Sequence, residues 1–306
     1  MKKRHIWRAL LIGVVAALPL SALPVPAVAQ APSDYLQPPK GVNFTNVLRL
    51  QRKILFGQAR KLAPQRPGVV DLYFIAVGGD AKQGVFANEV AYARDEFDRK
   101  FDTKGRSLVL SNSYKTYQDQ PLATLENLRL AMNYVAHIMD VKEDIVFIFL
   151  TMHGSHDHQL WLDMPPLNLE HLTVPVFQKL LGQSKLQNKV IVVSACYSGG
   201  FVDGLADDYS LIMTASAADR SSFGCSNSAK FTYFGRAYFV EALQDEYSFI
   251  GAFAKADRII AGWEQAQRFT PSMPQIRTGR AILPKLNALE RRLRAGLRTA
   301  RDSGTP

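Results

Sequence analysis

One cysteine stands where an apolar run gives way to small residues. The run VIVVSACYSGG, residues 190–200, is apolar up to Cys196 and continues with Ser198 and two glycines. A cysteine attacks as its thiolate, and a helix N-terminus or a neighbouring imidazolium stabilises that anion. Ser198 and the glycines can open a helix, and glycine lets a substrate backbone approach closely. The setting therefore favours a nucleophile.

A second apolar run ends in a histidine that can act as the base. FIFLTMHGS, residues 147–155, places His153 and Gly154 at the tip of a strand. In an open parallel sheet, reactive groups collect beyond the carboxyl ends of the strands. A helix separates the two runs, so the strands can lie parallel with both tips at one edge. The N–H groups of Gly154 and Cys196 would then converge on a developing oxyanion, which suits acyl transfer.

Other interpretations of these residues stay open. A cysteine at the end of an apolar strand is often a small buried hydrophobe, and a histidine is often a satisfied polar residue. The run HGSHDH resembles a zinc cluster in spacing; its members are His153, His156, Asp157 and His158. No matched fourth ligand and no H-E-x-x-H helix accompany it, so we predict no metal. Cys225 is interpreted as structural.

Composition and charge bound the class of protein. The chain has 306 residues, 47% hydrophobic and 21% charged, enough for one large domain or two small ones. Its formal charge of +10 is located at the ends. Residues 1–29 carry four basic and no acidic residues, and residues 277–302 carry eight basic against two acidic. The core between them is neutral, so the charge does not indicate a nucleic-acid-binding protein.

The N-terminal residues, 1–29, are typical of an export signal. MKKRHIWR is positively charged, ALLIGVVAALPLSAL is apolar, and Ala27–Ala29 before Gln30 forms a small-x-small cleavage site. Prolines in and after the apolar stretch disfavour an undisturbed membrane helix. We therefore expect cleavage near Ala29 and a periplasmic or secreted protein. The two cysteines are too few for a disulfide scaffold, although export permits one bridge.

Apolar and amphipathic runs alternate along residues 69–267, which we predict to form one domain. Buried strands are predicted at 69–77, 107–111, 144–154, 188–196 and 209–216. Helices are predicted at 85–101, 122–140, 174–184, 232–244 and 248–267, with a short helix from Gly199 and a hairpin within 159–172. This alternation predicts a three-layer α/β/α sandwich with a mostly parallel central sheet.

Two further segments flank that domain. Residues 30–68 are predicted as a linker followed by a helix, and residues 268–306 as an irregular connector followed by a basic amphipathic helix. Both helices can simply pack on the domain. Alternatively, one of them covers the cleft until it is cut, or the basic C-terminal helix contacts an anionic membrane or cell-wall polymer.

The quoted runs resemble the legumain-type cysteine peptidases, the asparaginyl endopeptidase family, whose fold is shared with caspases. The resemblance spans about residues 69–245 and rests on FLTMHGS, VVSACYSGG and IMTASAADRSSFGCS. Other stretches look like the exported bacterial branch of that family. The resemblance implies a caspase-like sandwich, a dyad of His153 and Cys196, and an oxyanion hole from the Gly154 and Cys196 amides. It also implies a polypeptide substrate and no cofactor.

The residues that select asparagine in that family are not matched here. Ala87 and Asn88 stand where the family has an Arg-His pair, and Ser194 stands where it has an acid. A further acid is replaced within Ser226–Ser228, and Val85 falls near the asparagine that orients the histidine. Asparagine preference is therefore not expected. The polar residues predicted to line the pocket are Asn88, Glu89, Ser194, Asp219, Ser221 and Ser222.

These observations predict a cysteine endopeptidase. Cys196 would attack a peptide carbonyl, His153 would protonate the leaving amine, and water would hydrolyse the thioester. A peptide amine in place of water would make the same site a transpeptidase. The alternatives are a non-catalytic scaffold, favoured by the lost specificity residues, and a metal-dependent hydrolase that uses the HGSHDH cluster.

Overall fold

The computed structural model describes residues 37–302 of the chain, with side chains through residue 296. The predicted export signal, its cleavage site and the first part of the linker lie outside the described residues. Within those residues, no helix is long and apolar enough to cross a membrane.

Strands and helices alternate along the chain as their sequence patterns predict. In order, the elements are α1 (Phe44–Ala59), β1 (Leu72–Gly78), α2 (Gly84–Lys100), β2 (Ser107–Ser111), α3 (Leu125–Ile138), β3 (Ile145–Thr151), β4 (Gln159–Leu160), β5 (Leu172–Thr173), α4 (Val174–Ser184), β6 (Lys189–Ser194), α5 (Gly200–Leu205), β7 (Ser210–Thr214), α6 (Tyr233–Gly235), α7 (Phe249–Gln267), β8 (Gln275–Thr278) and α8 (Leu283–Asp302). A π-helix, Arg236–Ala242, follows α6 directly.

The central sheet has the strand order β2-β1-β3-β6-β7-β8, and β4 pairs with β5 separately. The first five strands in this order are parallel, whereas β8 runs antiparallel to β7. The central strands β1, β3 and β6 are buried along their whole length. Because a parallel sheet covered on both faces has no solvent-facing side, these strands have almost continuous apolar sequences.

Alternate residues of the central strands face two separate apolar cores. On one face, Ile75 and Ile148 belong to a core completed by α1, α3, α4 and α5. On the other face, Phe74 and Phe147 belong to a core completed by α2, the π-helix, α7 and α8. Helices therefore cover both sides of the sheet, which confirms the predicted three-layer α/β/α fold.

The stretch predicted as an irregular connector, residues 268–281, contains a strand. Within it β8 pairs with β7 and adds an antiparallel edge to the sheet. Ile276 is its only apolar residue, and all its side chains are half-exposed or exposed. The strand therefore lacks the alternating burial pattern from which strands are predicted. Residues 275–278 are therefore part of the sheet.

The stretch predicted as a plain helix at 232–244 is largely a π-helix. The Leu243 N–H donates to the carbonyl of Tyr238, five residues earlier, at 2.9 Å. The consecutive aromatic side chains of Tyr238 and Phe239 are both buried in this segment. Apolar spacing predicts a helix here but does not distinguish the wider π form from the α form.

Both flanking helices pack on the sandwich. α1 buries Leu55 in the core of one face. α8 buries Leu289 and Leu293 in the core of the other, and its Arg292 donates to Asp102 at 2.6 Å. The packing interpretation is confirmed for both helices, and contact between α8 and a membrane or cell-wall polymer stays a prediction.

Substitution of Leu289 tests whether α8 belongs to the folding unit. The Leu289 side chain is 2% exposed, so we expect Leu289→Ala to lower the free energy of unfolding by about 2–5 kcal/mol. Leu283, in the same helix, is 38% exposed, and Leu283→Ala is the matched control with an expected change of about 0.5 kcal/mol. Urea unfolding followed by circular dichroism measures both. Equal changes would contradict a packed α8.

Candidate active site

The tips of β3 and β6 bring the predicted base and nucleophile to one edge of the sheet. Thr151, the last residue of β3, is paired with Ser194, the last residue of β6. The Met152 N–H extends this ladder by donating to the Ser194 carbonyl at 3.3 Å. His153 and Cys196 each follow the paired residue of their own strand by two positions. Since neighbouring strands lie about 4.8 Å apart, equal offsets place the two residues side by side.

The two loops touch through their backbones at Gly154. A Cβ atom on Gly154 would lie 2.1 Å from the Cys196 carbonyl oxygen and 3.2 Å from the Ala195 Cβ. Only glycine allows this approach. Within residues 37–302, neither the Gly154 N–H nor the Cys196 N–H donates a hydrogen bond. Two unpaired backbone donors therefore lie at the contact between the loops.

The Cys196 side chain is half-buried against Ser222. The Ser222 N–H donates to the sulfur at 3.3 Å, and the thiol lies 3.5 Å from the Ser222 carbonyl and 3.7 Å from its hydroxyl. Helix α5 begins only at Gly200. The amide that contacts the sulfur therefore comes from the loop after β7, where sequence reasoning expected the start of α5. An N–H donor here stabilises a thiolate through a charge-assisted hydrogen bond.

His153 faces a buried carboxylate. Its Nε2 atom lies 3.6 Å from Asp80 Oδ2, and Asp80 is 4% exposed. The second carboxylate oxygen, Oδ1, accepts the Lys82 N–H at 2.6 Å. Burial raises the pKa of Asp80, while this N–H and the nearby imidazole oppose the rise. His153 thus has an acidic partner on the side of Nε2, which leaves Nδ1 for proton exchange.

Sequence reasoning missed Asp80, although one signal pointed to it. Gly78 and Gly79 directly follow the strand predicted over residues 69–77, and Asp80 is the first charged residue after them. β1 lies beside β3 in the sheet. Residues just beyond both strands therefore reach the same edge, where reactive groups collect.

Two aromatic rings confine the imidazole of His153. The ring centroids of Phe86 and Trp161 lie 5.1 Å and 6.2 Å from it, both in edge-on orientations. Phe86 is fully buried, whereas Trp161 is exposed. The histidine keeps 27% of its side chain exposed. Its ring is therefore held in position but is still accessible to a substrate.

The histidines of the HGSHDH run have separate partners. His153 faces Asp80, His156 stacks on Tyr197 with ring centroids 3.9 Å apart, and His158 donates from Nδ1 to the Tyr197 carbonyl at 3.0 Å. Across the described part of the chain, no three His, Cys, Asp or Glu side chains form a group that could hold a metal ion. His156 and His158 instead support the turn that follows Cys196.

Two residues predicted to line the pocket are buried in a polar network. The Glu89 carboxylate accepts the Thr151 hydroxyl at 2.5 Å, and the Thr232 N–H and hydroxyl each at 2.7 Å. Ser194 contacts the same Thr232 hydroxyl at 3.1 Å. Burial raises the pKa of Glu89, although these hydrogen bonds oppose the rise. Glu89 and Ser194 are each only 1% exposed, so both side chains lie in the interior of the fold.

The other predicted pocket residues lie at the surface. Ser222 contacts the sulfur of Cys196, and the Ser221 hydroxyl donates to the Tyr197 hydroxyl at 3.2 Å. Asn88 and Asp219 are exposed. Of these four residues, Ser222 is the one in contact with Cys196, and Ser221 contacts the neighbouring Tyr197.

The second cysteine is not bonded to the first. Cys196 and Cys225 are both free and half-buried. Burial is the main cause that raises the pKa of Cys225, and the neighbouring Cys196, Glu89 and Asp80 add to the rise. Cys225 is therefore held as a neutral thiol, consistent with its interpretation as structural.

Comparison with known proteins assigns the family. A model of the peptidase C13 family matches residues 125–284, which include His153 and Cys196. No curated protein matches the chain. Among solved structures, caspase-1 from Spodoptera frugiperda is similar, with 12% identity and a TM-score of 0.46 over 71% of this chain and 92% of that one. The family match spans more than half of the sequence, and we conclude that this chain belongs to the peptidase C13 family, a family of cysteine peptidases.

Proposed function

We propose that this protein is an exported endopeptidase that cleaves peptide bonds with Cys196 as nucleophile and His153 as acid and base. The contact of Gly154 with the Cys196 carbonyl carries the proposal, because it fixes the two loops against each other. The same contact leaves two backbone N–H groups unpaired at the place where an oxyanion would form.

Acylation would begin with attack of the Cys196 thiolate on the carbonyl carbon of the scissile bond. The carbonyl oxygen takes the electron pair and is stabilised by the N–H groups of Gly154 and Cys196. His153 then gives a proton to the leaving nitrogen, the C–N bond breaks and the carbonyl re-forms as a thioester. The leaving peptide departs with a neutral amine.

Deacylation reverses these roles. His153 takes a proton from water as the water oxygen attacks the thioester carbon. The same two N–H groups stabilise the second oxyanion. Collapse of this intermediate breaks the C–S bond, releases the carboxylic acid product and returns the thiolate with a protonated imidazole.

Asp80 would act through His153 as a positioning residue. Its carboxylate lies beside Nε2, so it fixes the orientation of the ring and attracts the imidazolium that forms during turnover. Asp163, which lies close enough to raise the pKa of Asp80, is paired with Lys82 at 2.8 Å. Because the Lys82 ammonium partly neutralises Asp163, Asp80 is the carboxylate that would attract the imidazolium.

Covalent labelling and peptide-library profiling of the mature protein test the two catalytic groups. A peptidyl electrophile is expected to modify Cys196, and Cys196→Ala is expected to abolish both labelling and cleavage. His153→Ala is expected to slow labelling by about 100-fold or more, since it removes the base. Mass spectrometry locates the label, and an added peptide amine reveals any transpeptidation product.

Two matched controls accompany this experiment. Cys225→Ala removes the other cysteine and His137→Ala removes an exposed histidine of α3, and both are expected to keep labelling and cleavage near the wild-type rate. Labelling that does not depend on His153, with no cleavage anywhere in the library, would contradict the proposal and favour a non-catalytic scaffold. Activity that a chelator abolishes and that survives Cys196→Ser would favour a metal-dependent hydrolase.

Substitution of Asp80 tests whether its carboxylate contributes to turnover. Asp80→Asn keeps the size but removes the charge, so we expect kcat/KM to fall by about 100-fold or more. Loss of the carboxylate also makes the imidazolium less stable. Because burial raises the pKa of Asp80, protonation of this carboxyl is expected to lower the wild-type rate at acidic pH, and Asp80→Asn should lack that limb of the pH–rate profile.

Asp157, an exposed acidic residue of the HGSHDH run, provides the comparison. Asp157→Asn is expected to change neither kcat/KM nor the pH profile, because its carboxylate contacts Ser155 and Gln159. Stopped assays over a pH series measure both variants. An Asp80→Asn enzyme with a wild-type rate and profile would show that Asp80 has no part in turnover.

Alanine at Gly154 tests the contact between the loops. Its Cβ would overlap the Cys196 carbonyl oxygen, so we expect Gly154→Ala to lower the free energy of unfolding by about 1–3 kcal/mol. It should also abolish labelling of Cys196. Gly182 lies in α4 with nothing within 4 Å of its would-be Cβ, and Gly182→Ala should stabilise the fold by about 0.5–1 kcal/mol. If the Gly154→Ala protein were as stable as the wild type and still labelled at Cys196, the close contact between the two loops would be contradicted.

A further inference from the structure

Trp161 is a large apolar side chain that stays exposed beside the proposed general base. It is 43% exposed, whereas its chain neighbours Leu160 and Leu162 are 1% and 2% exposed. The hairpin therefore buries its leucines and presents the indole to solvent. An exposed ring next to a reactive group is suited to contact a ligand, because ligand sites combine apolar walls with a few polar groups.

The pairing of the hairpin places the indole next to the imidazole. Gly154 is bridged antiparallel to Leu160, and the Trp161 N–H donates to the His153 carbonyl at 2.9 Å. His153 and Trp161 are therefore directly opposite residues, and such pairs project side chains from the same face. Their ring centroids lie 6.2 Å apart.

Contacts with Gly79 and His171 also hold Trp161 in position. A Cβ on Gly79 would lie 2.7 Å from the Trp161 carbonyl oxygen, so the backbone here packs tightly against the tip of β1. The Trp161 ring stacks on His171 with centroids 6.0 Å apart and planes at 18°. His171 in turn accepts the Leu162 N–H on Nδ1 at 3.2 Å. A ring held this way loses little entropy when a ligand binds.

The proposed chemistry defines which part of a substrate lies at this ring. His153 protonates the leaving nitrogen, which belongs to the first residue after the scissile bond. The side chain of that residue is therefore delivered to the side of the site where His153 and Trp161 stand together. The ring provides a π-face without charge, and the nearby Lys82 is already paired with Asp163.

We propose that Trp161 forms the subsite for the first residue after the scissile bond and selects an aromatic or large aliphatic side chain there. The inference rests on the proposed function, which makes a polypeptide the substrate. It adds a preference for the side chain directly after the scissile bond, which the resemblance to the family does not imply. Trp161 is a binding residue in this proposal and takes no part in proton transfer.

Cleavage of a peptide series tests the preference. The quenched fluorescent peptides share one sequence before the scissile bond, chosen from the library profile, and carry Phe, Leu, Lys or Gly directly after it. We expect kcat/KM for the Phe and Leu peptides to exceed that for the Gly peptide by about 10-fold or more. Trp161→Ala should bring the Phe-to-Gly ratio close to one, and Trp161→Phe should keep most of it.

A distant exposed aromatic residue provides the control. Tyr209 is 40% exposed and immediately precedes β7, at the opposite edge of the sheet from the tips of β3 and β6, so Tyr209→Ala should keep the wild-type ratio. Equal rates for all peptides with the wild-type enzyme, or an equal loss for all peptides in Trp161→Ala, would overturn the proposal. A preference for the Lys peptide that depends on Trp161 would also overturn it, in favour of a cation–π site.

A binding measurement separates this proposal from the proposed catalysis. The tripeptide amides Phe-Ala-Ala and Gly-Ala-Ala mimic the leaving product and are titrated into Cys196→Ala protein, with the indole N–H signals followed by NMR. We expect one indole signal to shift with the Phe peptide at a concentration about 10-fold lower than with the Gly peptide. That signal should be absent from the Cys196→Ala/Trp161→Ala double variant. This result would support the subsite even in a protein that cleaves nothing. Identical titrations would overturn it even in an active enzyme.

Discussion

The register between β3 and β6 is the constraint on which the site depends. Thr151 pairs with Ser194, and from that pair the chain needs two more residues on each side to present His153 and Cys196. A slip of one residue would turn every side chain of a strand to the opposite face. Such a slip would exchange the side chains that fill the two cores, for example Phe147 and Ile148, and their difference in volume and shape opposes it. The hydrophobic interior therefore determines where the reactive groups meet.

A buried polar network reinforces the same pair of strand tips. Glu89 accepts hydrogen bonds from Thr151 and Thr232, and the Thr232 hydroxyl contacts Ser194. A satisfied network of this kind holds one arrangement, since a lost partner would leave a buried polar group unpaired. Two polar residues that the sequence suggested for substrate contact thus stabilise the tips internally. In the proposed function, the surface left for a substrate would include Ser221, Ser222 and the exposed Trp161 ring.

The sequence predicts the parts of this arrangement that depend on local pattern. The strands that end at Thr151 and Ser194 were predictable because a strand buried on both faces is apolar throughout. β8 was not, because an exposed edge strand with Ile276 as its one apolar residue has no such pattern. Asp80 was missed for a different reason. It is 73 residues from His153 in sequence, and only the strand order β1-β3-β6 brings the two together.

The surroundings of His153 explain how one imidazole could serve both as acid and as base. Phe86 shields one side, so the Coulomb attraction between Asp80 and an imidazolium acts in a medium less polar than water. The same burial raises the pKa of Asp80 by making its charged form less stable, and the hydrogen bond from the Lys82 N–H offsets part of this effect. In the proposed mechanism, a leaving amine and then a water molecule would reach the ring from the side of Trp161, which is exposed. In the proposed mechanism, Asp80 would stabilise the imidazolium until its proton leaves with the product.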